Sequence, residues 1–85
     1  MTTNEIEQIF DTINLLPYDA RRFAFREGLR ILCDLHEDSE DWSCELDQFW
    51  YGSITDVADK ITPEQCIRLR QLGWFVEDDA FSIYC

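Results

Sequence analysis

Basic residues are scarce in this chain. Seven Lys and Arg stand against eighteen Asp and Glu, and the formal net charge is -11. Binding a phosphate backbone needs cations that displace its counterions, so direct nucleic-acid binding is not expected. The same field disfavours anionic membrane surfaces. No apolar run approaches transmembrane length. The start, Met1-Thr2-Thr3-Asn4-Glu5, has neither the basic nor the apolar region of a signal peptide, so a cytosolic setting is expected. Glycine and proline are also few, three and two. The chain is 46% hydrophobic and 14% aromatic, a supply that disordered acidic tails lack. Residues 1–85 are therefore expected to form one small globular domain.

Metal and catalytic motifs are missing as well. The four cysteines, Cys33, Cys44, Cys66 and Cys85, form no second close pair beside Cys33-x-x-His36. Structural zinc needs about four ligands, usually as two such pairs. The expected state is reduced and buried, with each thiol acting as a small hydrophobe. Acids around Cys33 and Cys44 would raise a thiol pKa, which opposes a nucleophilic role. His36, the single histidine, reads as a surface residue at a helix end. The run from Asp34 to Asp47 has no glycine and lacks the spacing of a calcium loop. No catalytic residue, metal site or cofactor is expected.

What is present is a series of short helices followed by strand-like residues. Ile6, Ile9, Phe10, Ile13 and Leu16 are spaced for a first helix over 3–16, with Thr2 and Glu5, or Asn4 and Glu7, as its cap. A second and longest helix is expected from Pro17 to about Leu35. Ala20, Phe23, Ala24, Ile31 and Leu35 line its inner side, widened by Phe25, Leu29 and Leu32. Gly28 in its middle would permit a close approach. Arg22, Arg26 and Arg30 make a basic stripe, for which Asp19, Glu27 and Asp34 are the expected partners. Leu46, Phe49 and Trp50 predict a short helix over 44–50, with Phe49 and Trp50 in the core. Ser53 and Asp56 could cap another, carrying Ile54, Val57, Ala58 and Ile61. Thr62-Pro63-Glu64-Gln65 is a strong helix start, and Gly73 a left-handed stop after Leu72. Beyond it, Trp74-Phe75-Val76 and Ala80-Phe81-Ser82-Ile83-Tyr84 predict a hairpin turning at Glu77-Asp78-Asp79, with Phe81, Ile83 and Cys85 on one face. The expected fold class is α+β: a small domain of four or five short helices with a C-terminal β-hairpin.

The dominant surface feature is the stretch Cys33–Asp47, which holds seven acids and no Lys or Arg. If Asp34–Asp47 were all helix it would span roughly 21 Å, one acid per roughly 3 Å. That density is close to the charge spacing of about 3.4 Å along one DNA strand. Asp34, Glu37, Asp38, Glu40, Asp41, Glu45 and Asp47, with the Glu77-Asp78-Asp79 tip, are the candidate partner-binding acids. Trp42, isolated among them, reads equally as a core residue and as an apolar anchor of the interface.

In size, acidity and helix-hairpin pattern the chain resembles small phage and mobile-element proteins that block bacterial defence systems, anti-CRISPR proteins and other DNA mimics among them. The Asp34–Asp47 run and the Glu77-Asp78-Asp79 tip carry the resemblance. It implies a non-enzymatic inhibitor in the host bacterial cytosol, whose acids occupy a basic nucleic-acid-binding site on a protein or complex. The alternative is an antitoxin or small adaptor subunit. Its apolar hairpin face, Trp74 and Phe81 included, would form an obligate interface, a homodimer for example.

Overall fold

A computed structural model describes residues 1–36 and 42–84. Helix α1 spans Thr3–Thr12. The Thr2 hydroxyl accepts from the Glu5 N–H at 3.2 Å, and the Glu5 carboxylate accepts from the Thr2 N–H at 2.8 Å. Ile6 and Phe10 are buried. The helix stops short of the expected Leu16. The Thr12 hydroxyl turns back onto the Gln8 carbonyl at 2.9 Å, and Ile13 leaves in extended geometry. The Leu16 N–H then donates to the Gln71 carbonyl at 2.9 Å, which holds this extended link against a later helix.

The long helix expected from Pro17 is two pieces, a 3-10 turn at Tyr18–Arg21 and helix α2 at Ala24–His36. The inner face of α2 explains the break. Gly28, Leu32 and Leu35 are buried at helical spacing, and Ala20 and Phe23 fall outside that arc and are exposed. At Gly28 the close approach is made by a side chain, the Trp74 indole, rather than by another helix. Trp74 is fully buried, and its Nε1–H donates to the Ala24 carbonyl at 3.0 Å.

The segment expected as a helix over 44–50 is instead a β-hairpin. Strand β1, Trp42–Glu45, pairs antiparallel with β2, Gln48–Tyr51, through a two-residue turn at Leu46-Asp47. Leu46 takes a left-handed φ of 54° at the tip. Helical spacing was a coincidence of this turn. The operative period is two, with Phe49 and Tyr51 buried and Trp50 on the opposite side.

Helix α3, Ile54–Val57, starts at Ser53, whose hydroxyl accepts from the Asp56 N–H at 3.4 Å. Helix α4, Pro63–Leu72, has the expected reciprocal cap between Thr62 and Gln65 and ends at Gly73 with φ 106°. Cys66, Leu69 and Leu72 face inward. Strands β3, Phe75–Glu77, and β4, Ala80–Tyr84, form the expected hairpin. Asp78 and Asp79 make its turn, both at positive φ, 53° and 61°, the geometry that matches strand twist in a two-residue loop.

The four strands make one antiparallel sheet in the order β1-β2-β4-β3. The fold class is α+β, with four α-helices among the described residues and strands toward the C-terminus, and the β1–β2 hairpin adds two strands to the hairpin expected. The helices lie on one face. Phe10 meets Phe81 at 6.0 Å between ring centroids, Phe25 meets Phe49 at 5.0 Å, and His36 meets Tyr51 at 5.2 Å. Arg68 on α4 grips Glu27 on α2 through one edge of its guanidinium, Nε to Oε2 and Nη2 to Oε1, the latter at 3.0 Å. Both side chains are about two-fifths exposed, so this pair contributes at most about 1 kcal/mol. No described helix is long and apolar enough to cross a membrane.

Candidate functional site: an acidic and aromatic outer face

Alternation along the strands decides what the other face of the sheet displays. Phe49, Tyr51, Phe81 and Ile83 turn toward the helices. Gln48, Trp50, Phe75, Ser82 and Tyr84 therefore turn outward, with Ser43 and Glu45 from β1 and Glu77 from β3. Ser82 lies buried within this face. Its hydroxyl donates to the Phe49 carbonyl at 2.9 Å and accepts from Gln48 Nε2 at 2.9 Å. Gln48 also reaches the Glu77 carboxylate at 3.3 Å. Across this face the acids Glu45 and Glu77 lie on the two edge strands, and Gln48, Trp50, Ser82 and Tyr84 on the two central ones.

A cleft of about 450 Å³ opens at the end of this face where the second hairpin turns. Glu45, Trp50, Asp78 and Asp79 contribute to its wall, with Ser43 and Ser53 between them. Trp50 was expected in the core. It is half-buried on the outer face, because β-alternation places it opposite its neighbours Phe49 and Tyr51. Trp42 is 58% exposed and stacks on Phe49 at 6.0 Å between centroids. Of the two readings of Trp42, the exposed one matches this position.

The candidate acids separate into four sets. Glu45, Asp47, Glu77 and Asp78 are exposed along the margins and turns of the sheet. Asp34 is exposed on α2 and belongs to no continuous helical array with them, since 42–45 is strand. Glu37, Asp38, Glu40 and Asp41 lie outside the described residues. Asp79 has a structural task. Its carboxylate accepts from the Ser53 hydroxyl at 2.6 Å and from the Thr55 hydroxyl and N–H at 2.9 and 3.2 Å. It braces the start of α3 against the β3–β4 turn, and the Asp79 carbonyl also accepts from the Ile54 N–H at 2.9 Å.

These bonds hold the Asp79 carboxyl below its usual range, chiefly through the Ser53 hydroxyl and then Thr55. The Arg68 guanidinium does the same to Glu27. A depressed carboxyl stabilises the fold fully above its unfolded pKa, and that stability is lost as pH falls through the lower folded value. Thermal stability should therefore drop below about pH 4. Asp79→Ala should cost about 1 kcal/mol at neutral pH, like the loss of a helix cap. Its deficit relative to the parent should shrink toward pH 2, measured by thermal melts at several pH values. A deficit independent of pH would show that the carboxylate charge is not what braces α3.

Leu46 was expected on the apolar stripe of a helix over 44–50. It is 98% exposed at the tip of the β1–β2 turn, in a conformation that leucine rarely adopts. Exposed apolar groups held at strained positions cluster at binding sites, and Leu46 lies beside Glu45 and Asp47. Leu46→Gly should raise stability by up to about 1 kcal/mol, since glycine has no Cβ penalty at positive φ. Denaturant melts test this, and a loss of stability would mean that Leu46 supports the fold.

The arginine stripe also differs from expectation. Among the described residues Arg22, Arg26 and Arg30 form no ion pair, because Glu27 is taken by Arg68. Arg22 and Arg26 instead lie over the Phe23 ring, at 5.3 and 4.9 Å from its centroid.

The thiols divide by burial. Cys66 is fully buried, as expected, and burial pushes its thiol up to about 11. Cys33 and Cys44 are exposed, contrary to expectation, since β1 is an edge strand and Cys33 lies at the rim of α2. Cys85 lies outside the described residues. The Tyr51 hydroxyl donates to Cys33 Sγ at 3.5 Å, and burial with this contact pushes Tyr51 up to about 12.

His36 is a tie between elements and not the surface residue expected. Its Nδ1 lies 3.0 Å from the Leu32 carbonyl, and its Nε2 accepts from the Ser53 N–H at 3.2 Å. Among the described residues no three His, Cys, Asp or Glu side chains converge as metal ligands would.

Comparison of the chain with protein-family models, with curated proteins and with solved structures finds no match.

Proposed function

We propose that this domain is a non-enzymatic inhibitor whose acidic outer face occupies a basic, nucleic-acid-binding site on a target protein. The observation that carries this reading is the outer cleft, where Glu45 and Asp78 come from different hairpins to flank Trp50. A partner arginine fits such a wall twice over, as a cation for the carboxylates and as a flat group for the indole. Glu45 with Asp47 and Glu77 with Asp78 lie on opposite edges of the sheet. A site built to receive phosphates is complementary to these acids in the sign of its charge. Charge steering would speed the encounter, while Trp50 and Leu46 supply apolar contact.

The test is capture from a bacterial lysate, followed by competition. The captured protein should bind double-stranded DNA or RNA, and this domain should displace that nucleic acid stoichiometrically. A captured protein that holds its nucleic acid and the domain together would contradict the proposal.

One observation favours the adaptor reading. Phe75 and Tyr84 pack together on the outer face at 5.1 Å between centroids, and Tyr84 is 63% exposed. Trp74 and Phe81 are buried within the chain's own core, so an assembly through the hairpin would use this outer pair. Light scattering that shows a dimer lost on Tyr84→Ala would support it.

A further inference from the structure

A second cleft runs against the charge of the chain. Arg21 and Arg70 line a space of about 410 Å³, together with Leu15, Tyr18, Phe75 and Tyr84. Among the described residues no Asp or Glu contributes to its wall, in a chain that has eighteen of them. Both arginines are half-buried, and neither forms an ion pair among the described residues. The Nε of each is buried without a hydrogen-bond partner. Arg70 donates through Nη1 to the Trp74 carbonyl at 3.3 Å. Arg21 lies over the Tyr18 ring, its Cζ 5.8 Å from the centroid.

Two cations drawn partly out of water, at one cleft and with no counter-charge among the described residues, are an unfavourable arrangement. A bound anion removes that cost. The planar guanidinium fork suits the oxygens of a carboxylate or phosphate. The rest of the wall is aromatic and aliphatic, and the Tyr18 and Tyr84 rings are 84% and 63% exposed. The volume lies at the lower end of the range for small-molecule sites.

We propose that this cleft binds a small anion carried on a flat ring, with the anion held by Arg21 and Arg70 and the ring set against the tyrosines. Mononucleotides and aryl carboxylates share that chemistry. The site has no lining residue in common with the outer acidic cleft, so it stands or falls independently of the proposed inhibition.

Titration calorimetry and thermal shift with AMP, 1-naphthoate, adenosine and inorganic phosphate test it on the full chain. AMP or 1-naphthoate should bind saturably with Kd below about 1 mM and raise the melting temperature. Which of the two binds tells a phosphate ligand from a carboxylate one. Adenosine lacks the charge and phosphate lacks the ring, so each should bind at least about tenfold more weakly. Arg21→Gln should weaken the preferred ligand by about tenfold or more, while Lys60→Gln, an exposed cation elsewhere, should not change it. Arg70→Gln also removes the bond to Trp74, so Tyr84→Ala is the second variant if that one melts early. The proposal is overturned if neither ring-bearing anion binds by about 5 mM. Undiminished binding to Arg21→Gln, or equal binding of adenosine or phosphate, overturns it too.

Discussion

Gly28→Ala is expected to destabilise the domain by about 2–3 kcal/mol, although helix propensity alone would predict a gain of about 1 kcal/mol. Gly28 lies in the middle of α2, where alanine is the best helix former. A Cβ there, however, would fall on the Trp74 indole nitrogen, and 2.8 Å from Cδ1 of the same ring. Trp74 is fully buried and cannot swing into solvent. Its Nε1–H would also be pushed off the Ala24 carbonyl. Overpacking costs about 1–3 kcal/mol, and an orphaned buried donor about 1–3 kcal/mol more. In a domain of this size the melting temperature should fall on the order of 10–20 °C. Trp74→Phe removes the colliding nitrogen, so the double variant should lose less than the sum of the two single losses. Additive losses, or a stabilised Gly28→Ala, would show that the indole does not lie against α2.

Gly52→Ala should cost a comparable amount, about 2–4 kcal/mol, for two reasons that can be separated. Residue 52 has φ 66°, where an L side chain is strained by about 1–2 kcal/mol. The added Cβ would also overlap the His36 ring, breaking the bond from the Ser53 N–H to Nε2. That bond joins the end of α2 to the start of α3. In a His36→Ala background the collision is gone, and Gly52→Ala should cost only the backbone part, about 1–2 kcal/mol. Urea melts of the four proteins measure this. An equal cost in both backgrounds would show that the ring is not packed on residue 52.

Both sites mark the limit of what the sequence displays. Local signals were legible at α4 and at the C-terminal hairpin. Thr62-Pro63-Glu64-Gln65 and Gly73 bound α4 at the expected residues, and Asp78-Asp79 form the expected turn. The partner of Gly28 is forty-six positions away in sequence (28 to 74), and residue spacing gives no sign of an indole there. The Asp79 brace on Ser53 and Thr55 is equally long-range, so Asp79 read as one more surface acid. The β1–β2 hairpin was hidden by its turn. Leu46-Asp47 contains no glycine or asparagine, and Leu46, Phe49 and Trp50 imitate a helical stripe across it. The alternation appears only when Trp42 and Cys44 are set opposite Tyr51 and Phe49. This register places Glu45 and Asp47 at the margin of a sheet rather than on an expected helix. It also moves the candidate site to the outer face and adds Trp50 and Leu46 to it.

The most direct measurement of the central claim is the affinity of this domain for its captured target across a salt series, with and without the cleft acids. If Glu45 and Asp78 occupy a basic site, affinity should fall at least about a hundredfold between about 50 mM and 500 mM salt. Glu45→Lys with Asp78→Lys should weaken binding at low salt by a similar factor and flatten the salt dependence, while leaving the melting temperature within a few degrees. An affinity that is insensitive to salt and unchanged in the double variant would contradict the claim.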